Sequence, residues 1–218
     1  MTTDHPVTAT PHRCNRVTPF GTREAVAERG LFMGNRGNLR RPDGTLKVWH
    51  ARGWVCCLTS FRGRRLELDA PGRYTPLFFM DEAVALAAGH RPCGECRHAD
   101  YQAFKAAWRR AFDMPVDAPL AVAQIDRALH AARVRHGRQV LSRAPLRALP
   151  TGTFVTCDGA PDHALLVREG QLHRWSHAGY GPAPWPGADA QVTVLTPAPT
   201  VAVLRAGYRP RLADIADA

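Results

Sequence analysis

An α+β fold is what this sequence predicts, and three observations predict it. Residues 29–75 are dense in strand and turn signals. Residues 81–134 hold three segments with apolar residues at helical spacing, and residues 153–195 return to short strands. The expected architecture is a β-rich N-terminal module with helices after a cysteine pair, plus a small β-rich C-terminal unit. The expected parts are residues 1–112 as a basic, cysteine-bearing module, 113–150 as a helical connector and 151–218 as the C-terminal unit. The pattern is compatible with two domains or with one interleaved fold.

Each element has its own signal. Pro42-Asp43-Gly44 reads as a turn between Leu39 and Leu46, because proline presets φ and glycine accepts the left-handed region. Residues 47–50, 54–61 and 74–79 read as strands, with Arg62-Gly63-Arg64-Arg65 as a basic turn. The first helix should start at Asp81 and Glu82, which complement its dipole, and stop at Gly89. Tyr101, Phe104, Ala107, Trp108 and Ala111 lie at helical spacing and predict a helix over about 99–112; a third is expected over 121–134, followed by a basic loop to Pro150. Residues 153–157, 164–168, 171–175 and 191–195 read as strands, Glu169-Gly170 as a tight turn, and 199–206 as a short helix before Gly207.

The chain of 218 residues is long enough to bury a core without staples. Its 45% hydrophobic and 22% charged residues argue against wholesale disorder. No apolar run approaches the roughly 20 residues of a membrane helix, and residues 1–14 lack the apolar centre of a signal peptide. A cytoplasmic location is the expectation. The net charge is +10 and the basic residues are mostly Arg; between Arg36 and Arg73 nine basic side chains face three acidic ones. The guanidinium fork suits phosphate, so nucleic acid, DNA first, is the expected partner.

Arg36, Arg40, Arg41, Arg62, Arg64 and Arg65 fall on expected loops and turns, with Trp49, Trp54 and Phe61 interleaved. Such a surface can hold phosphates while aromatic rings stack bases; the bland reading is a solvated basic face over aromatic core residues. The loop from Gly34 to Asn38 (GNRGN) matches no phosphate-loop fingerprint and reads first as a plain turn.

Six cysteines are present, and only Cys93-x-x-Cys96 has ligand spacing. Two thiolates at that spacing reach one tetrahedral zinc from a turn entering a helix, and Arg91 and Arg97 are placed to favour the thiolate form. A redox pair is the competing reading, without the βαβ pattern that accompanies it. Phe78-Phe79, an Ala-rich helix, and then Ala88-Gly89-His90-Arg91-Pro92-Cys93-x-x-Cys96-Arg97 resemble the metal-binding domain of the Ada DNA-repair family, over about residues 77–101. That resemblance implies a Zn2+ held by four cysteines on a small DNA-binding module, with Cys93 and Cys96 as the last two. The family's earlier pair is CxxxC, whereas this chain has adjacent Cys56 and Cys57, so the methyl-acceptor position has no matched counterpart. On a regular strand Cys56 and Cys57 face opposite ways. Either a bulge lets both ligate or His90, His98, Cys14 or His12 completes the set; Cys57 and Cys56 otherwise pack as apolar thiols.

Pro92-Cys93-Gly94-Glu95-Cys96 is also similar to half of the cytidine deaminase signature, but no His/Cys-x-Glu precedes it to supply the proton-shuttling Glu. Asp126 and His130 lie at i and i+4, available as a carboxylate–imidazole pair or as a surface ion pair. Ser176 and His177, adjacent between Trp175 and Tyr180, suit a pocket lining better than a nucleophile and its base. Two functions follow: a zinc-binding protein that contacts nucleic acid, in repair or regulation, or a zinc-dependent enzyme acting on nucleic acid or nucleotides with an open metal position.

Overall fold

A computed structural model describes residues 12–63 and 72–214 of the chain. The architecture is mixed α+β: among the described residues there are four α-helices, two six-stranded sheets and one separate hairpin. The first sheet uses β1 (Arg16–Val17), β2 (Arg23–Glu24), β3 (Phe32–Asn35), β4 (Val55–Leu58), β5 (Leu77–Phe79) and, after α1 (Glu82–Ala87), β6 (Arg91–Pro92). Their order is β2-β1-β5-β3-β4-β6, with β1/β5 and β4/β6 parallel. Next come α2 (His98–Ala111), α3 (Val122–Arg133) and the hairpin β7 (Val134–Arg135) with β8 (Arg138–Gln139). The second sheet is formed by β9 (Ser142–Pro145), β10 (Phe154–Cys157), β11 (Ala160–Arg168), β12 (Gln171–Ser176), β13 (Gly179–Pro182) and β14 (Gln191–Val194), before α4 (Ala198–Arg205). It is antiparallel throughout, in the order β13-β12-β11-β10-β14-β9.

Helix α1 holds the two sheets together. The Asp81 carboxylate caps it by accepting the Val84 N–H at 3.0 Å, and Gly89 at φ +83 ends it. All six of its residues are buried, Glu82 included, so the helix buries its entire circumference and not only the expected apolar face. Ala83 and Val84 join a core shared by Phe32, Leu77 and Phe79 of the first sheet and Phe154, Leu166 and Tyr180 of the second. The 1–112 and 151–218 parts therefore pack around common apolar side chains. Leu86 points instead into a helical cluster with Phe104 and Trp108 of α2, Ile125 and Leu129 of α3 and Leu204 of α4. Strand alternation splits β10 and β11 between two cores: Phe154 and Leu166 enter the shared one, Val155, Leu165 and Val167 a third under α4.

Several expectations change. Residues 47–50 form no strand: the Lys47 N–H donates to Leu39 O, and the His50 and Ala51 N–H groups both donate to Arg36 O, so this loop wraps over Arg36 instead of joining a ladder. The expected basic loop after α3 contains β7, β8 and β9. Arg36 is not on a phosphate-facing surface; it is 2% exposed. Arg40, Arg41 and Arg62 are exposed, Arg40 and Arg41 directly preceding the Pro42–Gly44 turn and Arg62 standing 4.9 Å from the centroid of the Phe61 ring. Arg64 and Arg65 lie outside the described residues. No helix among the described residues is long and apolar enough to cross a membrane.

Candidate metal centre

The register of β4 sets the centre. On β3 its partner residues are Met33 for Cys57 and Gly34 for Cys56, and on the other side Cys56 lies opposite Pro92 of β6. The chain leaving β6 is held beside β4 by the Cys93 N–H, which donates to Cys56 O at 3.0 Å. A turn follows, closed by the Arg97 N–H on Cys93 O at 3.1 Å, and α2 begins at His98. The Cys96 sulfur returns to β4, where it accepts the Leu58 N–H at 3.4 Å.

The sulfurs of Cys57, Cys93 and Cys96 thus lie within 4.8 Å of one another, a group that can hold a metal ion. Three sulfurs about 2.3 Å from one tetrahedral ion stand roughly 3.8 Å apart, so closure on a metal needs a contraction of at most about 1 Å. Cys57 is 9% exposed, whereas Cys93 and Cys96 are half-buried, so the group opens toward solvent on the side of the CxxC turn. Its electrostatics suit a cation. The Cys93 thiol is pulled down to about 5, first by the Cys57 thiol that donates to it and then by the Cys96 and Glu95 N–H groups. Cys57 is pushed up by that same hydrogen bond and by burial, and Cys96 by burial. Three thiols this close cannot all ionise without a positive charge between them. Tyr74, half-buried, has its phenol raised by burial and by the nearby Cys57 and Cys96 sulfurs.

Cys56 is not in this group. Strand alternation sends it into the shared core, where its sulfur accepts Arg97 Nη1 at 3.2 Å and burial raises its thiol well above the ordinary range. Other suggested ligands also lie elsewhere. His90 is fully buried and accepts from Arg36 Nε at 3.2 Å, His98 Nδ1 sits 3.0 Å from Gly94 O, and the exposed Cys14 thiol donates to Arg23 O. His12 is exposed, and the metal-capable group among the described residues does not contain it.

Nor do Arg91 and Arg97 serve the CxxC thiolates. Arg91 grips Asp126 bidentately at 2.8 and 3.0 Å, and Arg97 reaches Glu82 at 2.7 Å and Asp100 at 2.9 Å. Asp126 is thereby taken from His130, which instead packs edge-on to Trp49 at 4.5 Å. His177 pairs with Glu24 at 2.9 Å and Ser176 Oγ donates to Gly179 O, so neither forms a nucleophile–base couple. Tyr74 stands beside these sulfurs although no spacing rule in the sequence connects it to the cysteines.

No family model matches this chain, and neither a curated protein nor a solved structure matches it.

Proposed function

We propose that the chain is a zinc-binding protein, with an Ada-like module in which Cys57, Cys93 and Cys96 hold one Zn2+, and that its basic surface contacts nucleic acid, DNA in the first instance. The observation that carries this reading is the convergence of three sulfurs within 4.8 Å from two separate segments, β4 and the CxxC turn. Thiolate sulfur is the donor zinc takes in structural sites, and the CxxC turn with backbone N–H groups directed at sulfur is a preformed half-site. The nucleic-acid half rests on the net charge of +10 and on exposed Arg40, Arg41 and Arg62.

A second reading is favoured by the ligand count. Three protein ligands leave a fourth position, and catalytic zinc keeps that position for water or substrate. A zinc-dependent enzyme acting on nucleic acid or nucleotides would use it so.

One experiment on purified protein tests both. Elemental analysis after chelator-free purification should find about one zinc per chain in the wild type and none in Cys93→Ser/Cys96→Ser. Absence of metal from the folded wild type would end the metal reading. A labelled DNA duplex should bind with an affinity that falls steeply between 50 and 200 mM salt, and Arg40→Ala/Arg41→Ala/Arg62→Ala should weaken it for every sequence alike. No complex at low salt would remove the nucleic-acid half. X-ray absorption at the zinc edge separates the two readings: three sulfurs with an N/O donor that small anions do not displace fit a closed structural site, and three sulfurs with a displaceable N/O donor an open one.

A further inference from the structure

Among the described residues four arginines are buried, and they divide into two kinds. Arg91 and Arg97 each hold a carboxylate, Asp126 and Glu82 respectively. Arg36 and Arg133, each 2% exposed, hold none. Arg36 donates from Nε to His90 Nε2 and from Nη1 to Val48 O at 3.3 Å, and its Nη2 has no partner. Arg133 donates from Nη1 to Gly89 O and from Nη2 to Arg52 O, and its Nε has no partner. Both guanidiniums stand over the Trp54 ring, 4.1 and 3.8 Å from its centroid. Room for the second of them is built in, since Gly89 at φ +83 lies directly under the Arg133 stem, where any Cβ would collide with it.

Two buried cations side by side, stabilised by carbonyls, an imidazole and an aromatic face, are an incomplete arrangement. Burial first pushes both guanidiniums below their ordinary range; Arg23 then opposes Arg36, and Arg36 opposes Arg133, which Asp126 offsets only in part. The neighbouring imidazole of His90 supplies no negative charge in either protonation state, and burial with these same two arginines opposes its protonation.

Both residues line a cavity of about 490 Å3, and Arg23 and Arg138 line it too, the first half-buried and the second exposed. No acidic residue is in its wall, and among the described residues no carboxylate comes within ion-pair distance of any of the four. We propose that this cavity binds a small organic phosphate monoester, its dianionic head held by Arg36 and Arg133 and its entry guarded by Arg23 and Arg138. A dianion matches the uncompensated charge, and phosphate oxygens suit the guanidinium forks. The volume is that of a small-molecule site rather than of a bare ion, and Phe20 and Val48 supply apolar wall for an organic body. This site does not depend on the metal centre.

The test is calorimetry and thermal unfolding in phosphate- and sulfate-free buffer with ribose 5-phosphate, ribose and inorganic phosphate as probes. Ribose 5-phosphate should bind and raise the melting temperature, inorganic phosphate should do so more weakly, and ribose should do neither. Arg138→Ala, at the exposed rim, should weaken ribose 5-phosphate at least tenfold while leaving the ligand-free melting temperature unchanged. Arg36→Met should abolish binding without lowering the ligand-free melting temperature, because it removes a charge that lacks a counter-ion. The proposal falls if ribose 5-phosphate binds no better than ribose, or if Arg138→Ala binds it as the wild type does. Equal affinity for inorganic phosphate would overturn the organic body as part of the ligand.

Discussion

The two six-stranded sheets have the same number of strands and are held together by different means. In the second, β10 to β13 follow one another in space as in sequence, joined by antiparallel pairing, and among the described residues beyond 150 no charged side chain is buried, the buried polar groups being threonine and tyrosine hydroxyls. In the first, two parallel pairs bring distant segments together, and every buried charged side chain of the described protein falls between residues 36 and 133: Arg36, Asp81, Glu82, Arg91, Arg97, Asp126 and Arg133, with His90 among them. A sheet of local hairpins needs only apolar packing and its own ladder. A sheet assembled from remote pieces is pinned by ion pairs and, at Cys57, Cys93 and Cys96, by a group suited to a cation. The contrast teaches where chemistry resides in this molecule. Buried charge costs stability unless it is paired or used, and here it is concentrated on one side.

The largest expected effect attacks the pinned sheet. Glu82 accepts from Arg97 at 2.7 Å, from Tyr208 Oη at 2.5 Å and from the Arg211 N–H at 2.9 Å. Glu82→Gln should cost about 3–5 kcal/mol in urea unfolding, because it leaves Arg97 buried without its full counter-charge. Hydrogen exchange then sharpens the comparison: the shared core predicts that amides of β11 and β12 lose protection along with those of β3 and β4. Protection lost from the first sheet alone would show that the two unfold separately.

Leu172→Ala probes the other sheet. Leu172 is fully buried in the third core, and its truncation should cost about 2–5 kcal/mol. Metal content should stay at the wild-type value, since no ligand is near; a loss of metal would break the separation of roles between the sheets.

The smallest effect is a pH dependence. Burial, then Arg36 and Arg133, hold the His90 imidazole well below its usual value. A histidine kept neutral in the folded state contributes its stability above the unfolded pKa of about 6.5 and loses it as pH falls, by about 1.4 kcal/mol per unit. Unfolding midpoints at pH 7.5 and 5.5, both with chelator present, should therefore differ more in the wild type than in His90→Gln. Equal differences would mean that His90 does not set this slope.

The elements that were legible are those whose signals are local. Asp81 and Gly89 bracket α1, the spacing of Phe104, Ala107 and Trp108 marks α2, and Glu169-Gly170, both at positive φ, closes the β11–β12 hairpin. Two-residue β1 and β2 carry too few side chains for an alternation to show, and β13, Gly-Tyr-Gly-Pro, is a strand only because β12 offers it a ladder at the sheet edge. Val48 and Trp49 favour a strand, yet the residues around them spend their N–H groups on Leu39 and Arg36 carbonyls, and that contact outweighs propensity. At the centre, the CxxC turn was readable and alternation along β4 correctly separated Cys56 from Cys57. Which of the two meets the CxxC turn was not readable, because it depends on β6 pairing in parallel beside β4.

Residue order along the chain was therefore enough to establish the α+β class, the helices, the C-terminal hairpins and the reach of Cys93 and Cys96 toward a common point. Tertiary structure alone decided that Cys57 completes the group of three, that Cys56 lies under Arg97, and that Arg36, which reads as a surface residue in a glycine-rich turn, is buried over Trp54 beside Arg133. The reason is the range of the forces involved. Caps, turns and periodic apolar faces act within a few residues, so the sequence displays them. The burial of a charge is set by neighbours 54 positions away, as between Arg36 and His90, and only the folded chain brings those together.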